Sequence, residues 1–273
     1  MQNPDDPGRR PPCAHQRPAS TARGIIDIGD DPAAATPVVL VHGLRVSGAA
    51  LHRIAGGITD RPVSTPDLPG HGTRAAEKFG IDDAVKTVLA AIDELGRPAV
   101  VAGMSLGGYV AMATAGRHPE AVAGLVAMCA TAQPSRLYAA PFQAFGAATS
   151  VLPRQAAAIS KGLTRLAVGG RVARDMEAGG LALHSIRDVV AELADFDALT
   201  EVARYPGPIA FVNGGWDQFR VHEQRFGAVS SRAEVHVIPR ASHLFPLIQP
   251  AETATMITDF ARRCDELRVG GPS

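Results

Sequence analysis

Val100-Val101-Ala102-Gly103-Met104-Ser105-Leu106-Gly107-Gly108-Tyr109-Val110-Ala111 is the stretch on which the reading of this chain turns. A short apolar run meets a glycine, then one serine, then two more glycines and a series of helix formers. This G-x-S-x-G pattern belongs to a strand that turns sharply into a helix with a serine at the apex. The apex backbone is strained, so its neighbours must be small, and Gly103 and Gly107 let strand and helix pass close to each other. The helix starts at the serine, so its unpaired N–H groups and positive dipole end face whatever negative charge develops there. In a chain with 28 glycines the pattern alone also describes an ordinary glycine-rich turn. The apolar strand before it, and the Ala-rich amphipathic segment Tyr109 to Arg117 after it, supply the right context. The rest of the chain must then supply a base, an acid and a second oxyanion donor.

Bulk properties fit that reading. A length of 273 residues suits one α/β domain with an inserted lid. With 27 basic and 27 acidic residues the formal net charge is zero, so no nucleic-acid partner is expected. No apolar run is long enough to span a bilayer. Cys13, Cys129 and Cys264 are scattered and form neither a disulfide framework nor a zinc motif. Residues 1–23 are rich in Pro, Arg and Asp and read as a disordered tail. Arg9-Arg10 is followed by Pro11-Pro12 and not by an apolar segment, so an export signal is not expected and a cytoplasmic location is.

Further along, Gly24 to Ile28 reads as a short early strand and Asp30-Asp31-Pro32 as a turn. Pro37 to Val41 is a continuous apolar run, as in a strand buried on both faces, and ends in His42-Gly43-Leu44. Ser47 is placed to cap a helix running to about Ile58. Val63 starts another strand, and Asp67-Leu68-Pro69-Gly70-His71-Gly72 is a turn cluster. A helix from Ile81 to Leu95, the strand Pro98 to Ala102 and the strand Val122 to Cys129 follow. Strands alternating with helices imply a mostly parallel sheet with helices on both faces. The rhythm stops between Pro134 and Pro206, which reads as an inserted helical cap. It resumes with Ile209 to Val212, a strand at Glu234 to Ile238 and a last helix from Pro250 to about Leu267. The expected division is a core of 24–133 and 207–268 with the cap at 134–206.

Ligands of an open parallel sheet bind at the carboxyl ends of its strands. Asp217 follows one such strand through Gly214-Gly215-Trp216, and His243 follows the last strand through Pro239-Arg240-Ala241-Ser242. Both fall at the same edge as Ser105. The chain holds nine histidines. His236 lies inside a strand, His15 in the tail and His118 in a helix-ending turn, while His52, His184 and His222 look helical. His42 fits a turn-shaping role. His71 and His243 are well placed in loops, and His243 alone follows the last strand. The end of the strand Val122 to Cys129 offers no acid, and Asp195 and Asp197 belong to the cap. Asp67 also follows a strand, but it precedes Ser105 and suits a turn in which it bonds nearby N–H groups.

The segments Val39-Leu40-Val41-His42-Gly43, Asp67 to Gly72, Gly103 to Gly108, Gly215-Trp216-Asp217 and Ser242-His243 resemble the α/β-hydrolase fold family, in the order Ser, Asp, His. The similarity runs over about residues 24–267, and its finer likeness is to small capped carboxylesterases and enol-lactonases. The resemblance implies Ser105 as nucleophile, Asp217 as acid, His243 as base and a cap inserted late in the sheet. The backbone N–H groups of Leu44 and Leu106 are the expected oxyanion donors. The reaction expected is hydrolysis of a small or medium acyl ester through an acyl-enzyme, with no metal or organic cofactor. The same constellation also serves lactone, thioester and carbon–carbon bond hydrolysis and cofactor-free perhydrolysis. A non-catalytic, ligand-binding use is disfavoured, because all three triad candidates are present.

In the cap, Leu137, Tyr138, Phe142, Phe145, Leu152, Ile159, Leu163 and Leu166 are apolar, while 135–170 carries Arg136, Arg154, Lys161 and Arg165 and no acid. One reading is a solvated basic helix face that packs its apolar side on the core. The other is an apolar pocket with a positive rim, suited to acyl chains or carboxylate-bearing substrates and also to transient contact with a membrane surface. The expected partner is a small-molecule acyl substrate, and the expected state a monomer or homodimer.

Overall fold

The computed structural model describes residues 35–136 and 153–269. The expected tail, the strand Gly24 to Ile28, the turn Asp30-Asp31-Pro32 and the cap residues Leu137, Tyr138, Phe142, Phe145 and Leu152 lie outside them. So do the side chains of Arg154 and Leu163.

Among the described residues six parallel strands form one sheet: β1 (Val38–Val41), β2 (Val63–Ser64), β3 (Ala99–Met104), β4 (Val122–Met128), β5 (Ile209–Gly214) and β6 (Ala233–Ile238), in the order β2-β1-β3-β4-β5-β6. The central strands are apolar at consecutive positions because both faces are covered. On one face Val39, Val41, Val101, Leu125, Ala127 and Phe211 pack with α2 (Ile81–Glu94) and α3 (Leu106–Arg117). On the other, Val38, Leu40, Val100, Ala102, Val126 and Val212 pack with Leu51 and Ile54 and with Ile257, Phe260 and Cys264. The period-2 alternation of a strand thus sends neighbouring valines to opposite layers.

Around the sheet lie α1 (His52–Ala55), α4 (Pro153–Glu177), α5 (Ile186–Ala194), α6 (Ala198–Arg204), α7 (Glu223–Ala228), α8 (Phe245–Ile248) and α9 (Pro250–Val269). The expected strands between Pro37 and Ile238 fall within a few residues of their predicted places. Three details differ. The helix expected from Ser47 to Ile58 is only a 3-10 turn (Gly48–Leu51) followed by α1. The Ser47 side chain makes no capping hydrogen bond, the Gly48 N–H donates to the Asp67 carboxylate at 2.8 Å, and Gly56-Gly57 ends the helix early. The helix after Ser105 is not amphipathic: from Leu106 to Gly116 every residue is buried, because α2 and α6 lie against it. His184 and His222 sit just ahead of α5 and α7 rather than within them.

The stretch 134–206 is helical where described. α4 breaks at Gly169, whose φ of 77° is left-handed. α6 lies on α3 in the layer that covers the sheet, with Ala198 and Val202 buried in that core. Along the chain the loops after β1, β3, β4, β5 and β6 all emerge at one edge, which places the site.

Candidate active site

Ser105 stands between β3 and α3 with φ 54° and ψ −115°, a conformation that costs a non-glycine residue about 1–3 kcal/mol. The flanking glycines make it attainable. A Cβ on Gly103 would lie 2.0 Å from the Gly107 carbonyl oxygen, and one on Gly107 would lie 2.1 Å from the Val41 carbonyl oxygen. Strand, turn and helix therefore touch backbone to backbone. The Ser105 N–H donates to the Met128 carbonyl at 2.8 Å, which ties the apex to β4.

His243 reaches Ser105 from the loop after β6. Its Nε2 lies 3.1 Å from Ser105 Oγ, and its Nδ1 lies 3.0 and 3.1 Å from the two Asp217 carboxylate oxygens. Asp217 follows β5, and the two loops are locked together. The Gly215 N–H donates to the Ile238 carbonyl at 2.8 Å and the Trp216 N–H to the Ala241 carbonyl at 2.9 Å. Gly214 must lack a side chain, since a Cβ there would lie 2.4 Å from the Ala241 carbonyl oxygen. The Asp217 side chain is fully buried. Burial raises its pKa, but hydrogen bonds from His243, the Phe219 N–H and Cys129 outweigh that, and the net shift is downward. It therefore stays a carboxylate against the imidazole. The Phe219 ring packs edge-on against His243 with centroids 4.7 Å apart and holds the ring plane.

Leu44 and Leu106, the expected oxyanion donors, flank the serine. Leu106 is the first residue of α3, so its N–H has no carbonyl four residues back within the helix. The turn carrying Leu44 passes beside the serine: a Cβ on Gly43 would lie 3.6 Å from Ser105 Cβ. His42 shapes that turn. Its Nε2 accepts the Leu68 N–H at 3.0 Å, so the ring proton sits on Nδ1 and donates to the Gly43 carbonyl at 2.9 Å. Burial and the neighbouring His71 lower its pKa to about 4. His42 is thus a neutral strut with both nitrogens occupied. Asp67 has the structural role its turn suggested, accepting from the N–H groups of Gly48 and Thr73. His71 is buried too, and its Nε2 lies 3.2 Å from Ser185 Oγ just ahead of α5.

Two features went unread in the sequence. The end of β4 carries no acid, but Cys129 there takes φ 55° and brings its thiol to Asp217, where burial pushes its pKa far up. Trp216, beside Asp217, is 71 % exposed. In the cap, Ile159 and Leu166 are also exposed, and the described residues of the expected basic rim are paired: Arg136 with Asp195 at 3.0 Å, Arg165 and Lys161 with Glu177 at 3.4 and 3.8 Å. Among the described residues no helix is long and apolar enough to cross a membrane.

Such a sheet, with a serine at the strand-to-helix turn after β3 and an Asp–His pair in the loops after β5 and β6, defines the α/β-hydrolase class. The sequence pattern of the Alpha/beta hydrolase family matches residues 38–256, and the chain belongs to that family. A lipase, LipV, of Mycobacterium tuberculosis is 39% identical over 97 residues, which cover 35% of this chain and 37% of that protein. A pimeloyl-[acyl-carrier protein] methyl ester esterase of Neisseria meningitidis is 44% identical over 98 residues, 36% of each chain. The matched part thus spans little more than a third of these curated relatives. Among solved structures, a thermophilic esterase from Thermogutta terrifontis shares the fold with a TM-score of 0.71 at 20% identity, over 88% of this chain and 93% of that one.

Proposed function

We propose that the chain is a serine hydrolase of carboxylic esters, with Ser105 as nucleophile, His243 as base and Asp217 as the acid that orients it. The observation that carries this reading is the unbroken relay from Ser105 Oγ through both nitrogens of His243 to a buried carboxylate. His243 Nε2 takes the serine proton as Oγ attacks the acyl carbonyl, and Asp217 stabilises the imidazolium that forms. The N–H groups of Leu44 and Leu106 receive the oxyanion. His243 then gives its proton to the leaving alcohol, and the acyl-enzyme is opened by a water that His243 activates. No step needs a metal or organic group.

The names of the lipase and the methyl ester esterase favour an ester of an aliphatic acyl chain as substrate. Lactones and thioesters would follow the same steps. The insertion proposed to select among them is 134–206, whose last helix, α6, packs on α3. The test is Ser105→Ala against a series of p-nitrophenyl esters of rising chain length, with fluorophosphonate labelling of the parent. The parent is expected to label at Ser105. The variant should stay folded and lose turnover by about 10⁴-fold or more. Undiminished hydrolysis by the folded variant would overturn the assignment.

A further inference from the structure

Behind the Asp217–His243 contact lies a third donor of a different kind. β4 ends at Met128, and Cys129 leaves it in the left-handed region at φ 55°. Cys129 Sγ, an Asp217 carboxylate oxygen and a His243 ring nitrogen all lie within 4.8 Å of one another. Among the described residues this is the one such cluster of possible metal ligands. Cys129 and Asp217 are 1% and 4% exposed, and His243 is partly buried above them. The His243 nitrogen that faces Asp217 is Nδ1.

Thiolate, imidazole nitrogen and carboxylate oxygen are the three ligand types of protein zinc sites. Bonds of about 2.0–2.3 Å in a tetrahedron put ligand atoms roughly 3.3–3.7 Å apart, within reach of this cluster by small side-chain movements. A thiolate and a carboxylate together cancel the charge of a divalent cation, which keeps the buried centre neutral. Mg²⁺ and Ca²⁺ take oxygen ligands in larger number and do not suit a donor set with sulfur and nitrogen.

We propose that Cys129, Asp217 and His243 form an inhibitory binding site for a borderline-soft divalent cation of the Zn²⁺ or Cd²⁺ type. Binding itself is independent of the proposed ester hydrolysis, and only its effect on turnover rests on that reading. The Cys129 thiol gives its proton to solvent and Sγ bonds to the metal. Asp217 contributes an oxygen. The lone pair of His243 Nδ1 turns to the metal, and the proton it carried is replaced by one on Nε2. One proton leaves per cation bound, a water fills the fourth position, and nothing is oxidised or reduced. With its proton on Nε2, His243 can no longer accept the Ser105 proton. The cation therefore stops turnover without occupying the acyl site.

The test uses the full chain, its Ser105→Ala variant and Cys129→Ala. Zn²⁺ is titrated calorimetrically in two buffers of different ionisation heat, and Cd²⁺ is followed by its ultraviolet thiolate-to-metal charge-transfer band. The parent and Ser105→Ala are both expected to bind one cation, release one proton and show the Cd²⁺ band. In the parent, Zn²⁺ should abolish p-nitrophenyl acetate turnover, EDTA should restore it, and Mg²⁺ should do nothing. Changing a group behind a metal ligand typically costs 10–100-fold in affinity, so removing the ligand Cys129 should cost about 100-fold or more and erase the band. Cys129→Ser, with circular dichroism as the folding control, replaces the alanine variant should that not fold, with the same loss expected. A Cd²⁺ band that is absent from the parent or survives in the Cys129 variants would overturn the proposal, as would Zn²⁺ binding unchanged by them. Absence of esterase turnover in the parent would count against the proposed function, while the spectroscopic arm would still decide the metal site.

Discussion

The strand-end edge and the helical stretch from 134 onward are built by opposite means. At the edge, Ser105, Asp217 and His243 are fixed by backbone contacts that admit no side chain at Gly103, Gly107 or Gly214. Along α4, by contrast, Leu166 is 86 % exposed and the basic residues are held by exposed ion pairs. The edge holds the residues proposed to carry the reaction, and its geometry leaves little freedom to vary. Exposed positions of α4 such as Ile159 and Leu166 can change at small cost to stability, whereas Val172, Ala173 and Met176 of the same helix are buried and cannot.

The first way to break this contrast is at the acid. Asp217→Asn keeps the shape of the side chain but offers Nδ1 of His243 an amide in place of a carboxylate. The ring then loses the anchor that places its proton on Nδ1 and leaves Nε2 as base. Ester turnover is expected to fall by about 10⁴-fold with folding intact. A loss under about tenfold, measured as kcat/KM on p-nitrophenyl esters, would mean that Asp217 does not orient the base.

A smaller effect is expected from the strut behind the turn that carries Leu44. His42 is neutral in the fold with a pKa of about 4, against an unfolded value of 6.5. Below pH 6.5 the unfolded chain takes up a proton that the folded chain refuses until about pH 4. Stability is therefore full above pH 6.5 and falls as pH drops toward 4, by about 3 kcal/mol in total for this group. His71, whose pKa is lowered first of all by burial, adds in the same direction. Asp217 and Asp67, with lowered pKa values, lose their contribution only at lower pH, as it falls through the carboxylate range. Urea unfolding at a series of pH values should show the decline between pH 6.5 and 4, and His42→Gln should flatten it. An unfolding midpoint that stays level over that window in the parent would contradict the neutral, buried state.

The same contrast explains what was readable in the sequence. The sheet was legible because valine-rich runs buried on both faces have few other uses. Ser105, Asp217 and His243 were legible as one candidate site because each lies at or within a short loop of a strand end, so chain position stands in for spatial position. The partial failures share one cause, contacts between residues distant along the chain. At the turn after Ser47 the Gly48 N–H is taken by Asp67, 19 residues away, and Ser47 itself makes no capping bond. The basic run 135–170 looked unpaired because its acid for Arg136, Asp195, lies 59 residues on. Cys129 escaped notice because the backbone turn that brings it to Asp217 has φ 55°, which no propensity predicts for cysteine.

The smallest expected effect separates the two readings of the basic helices. Glu177 accepts from Arg165 and lies within ion-pair distance of Lys161, and its side chain is 16% exposed while theirs are about half exposed. Removing its charge by Glu177→Gln frees both cations. Stability should change by less than about 1 kcal/mol, because the two cations are about half exposed and lie 3.4 and 3.8 Å from the carboxylate, and such pairs contribute little. The informative number is the ratio of kcat/KM for an acidic ester over a neutral ester of equal length. If Lys161 and Arg165 are solvated surface, that ratio stays constant. If they line the approach to Ser105, unmasking them raises the ratio through KM, and added salt removes the gain by screening. The paired state in the structure favours the constant ratio. A salt-sensitive rise would instead place a carboxylate-recognising rim on α4.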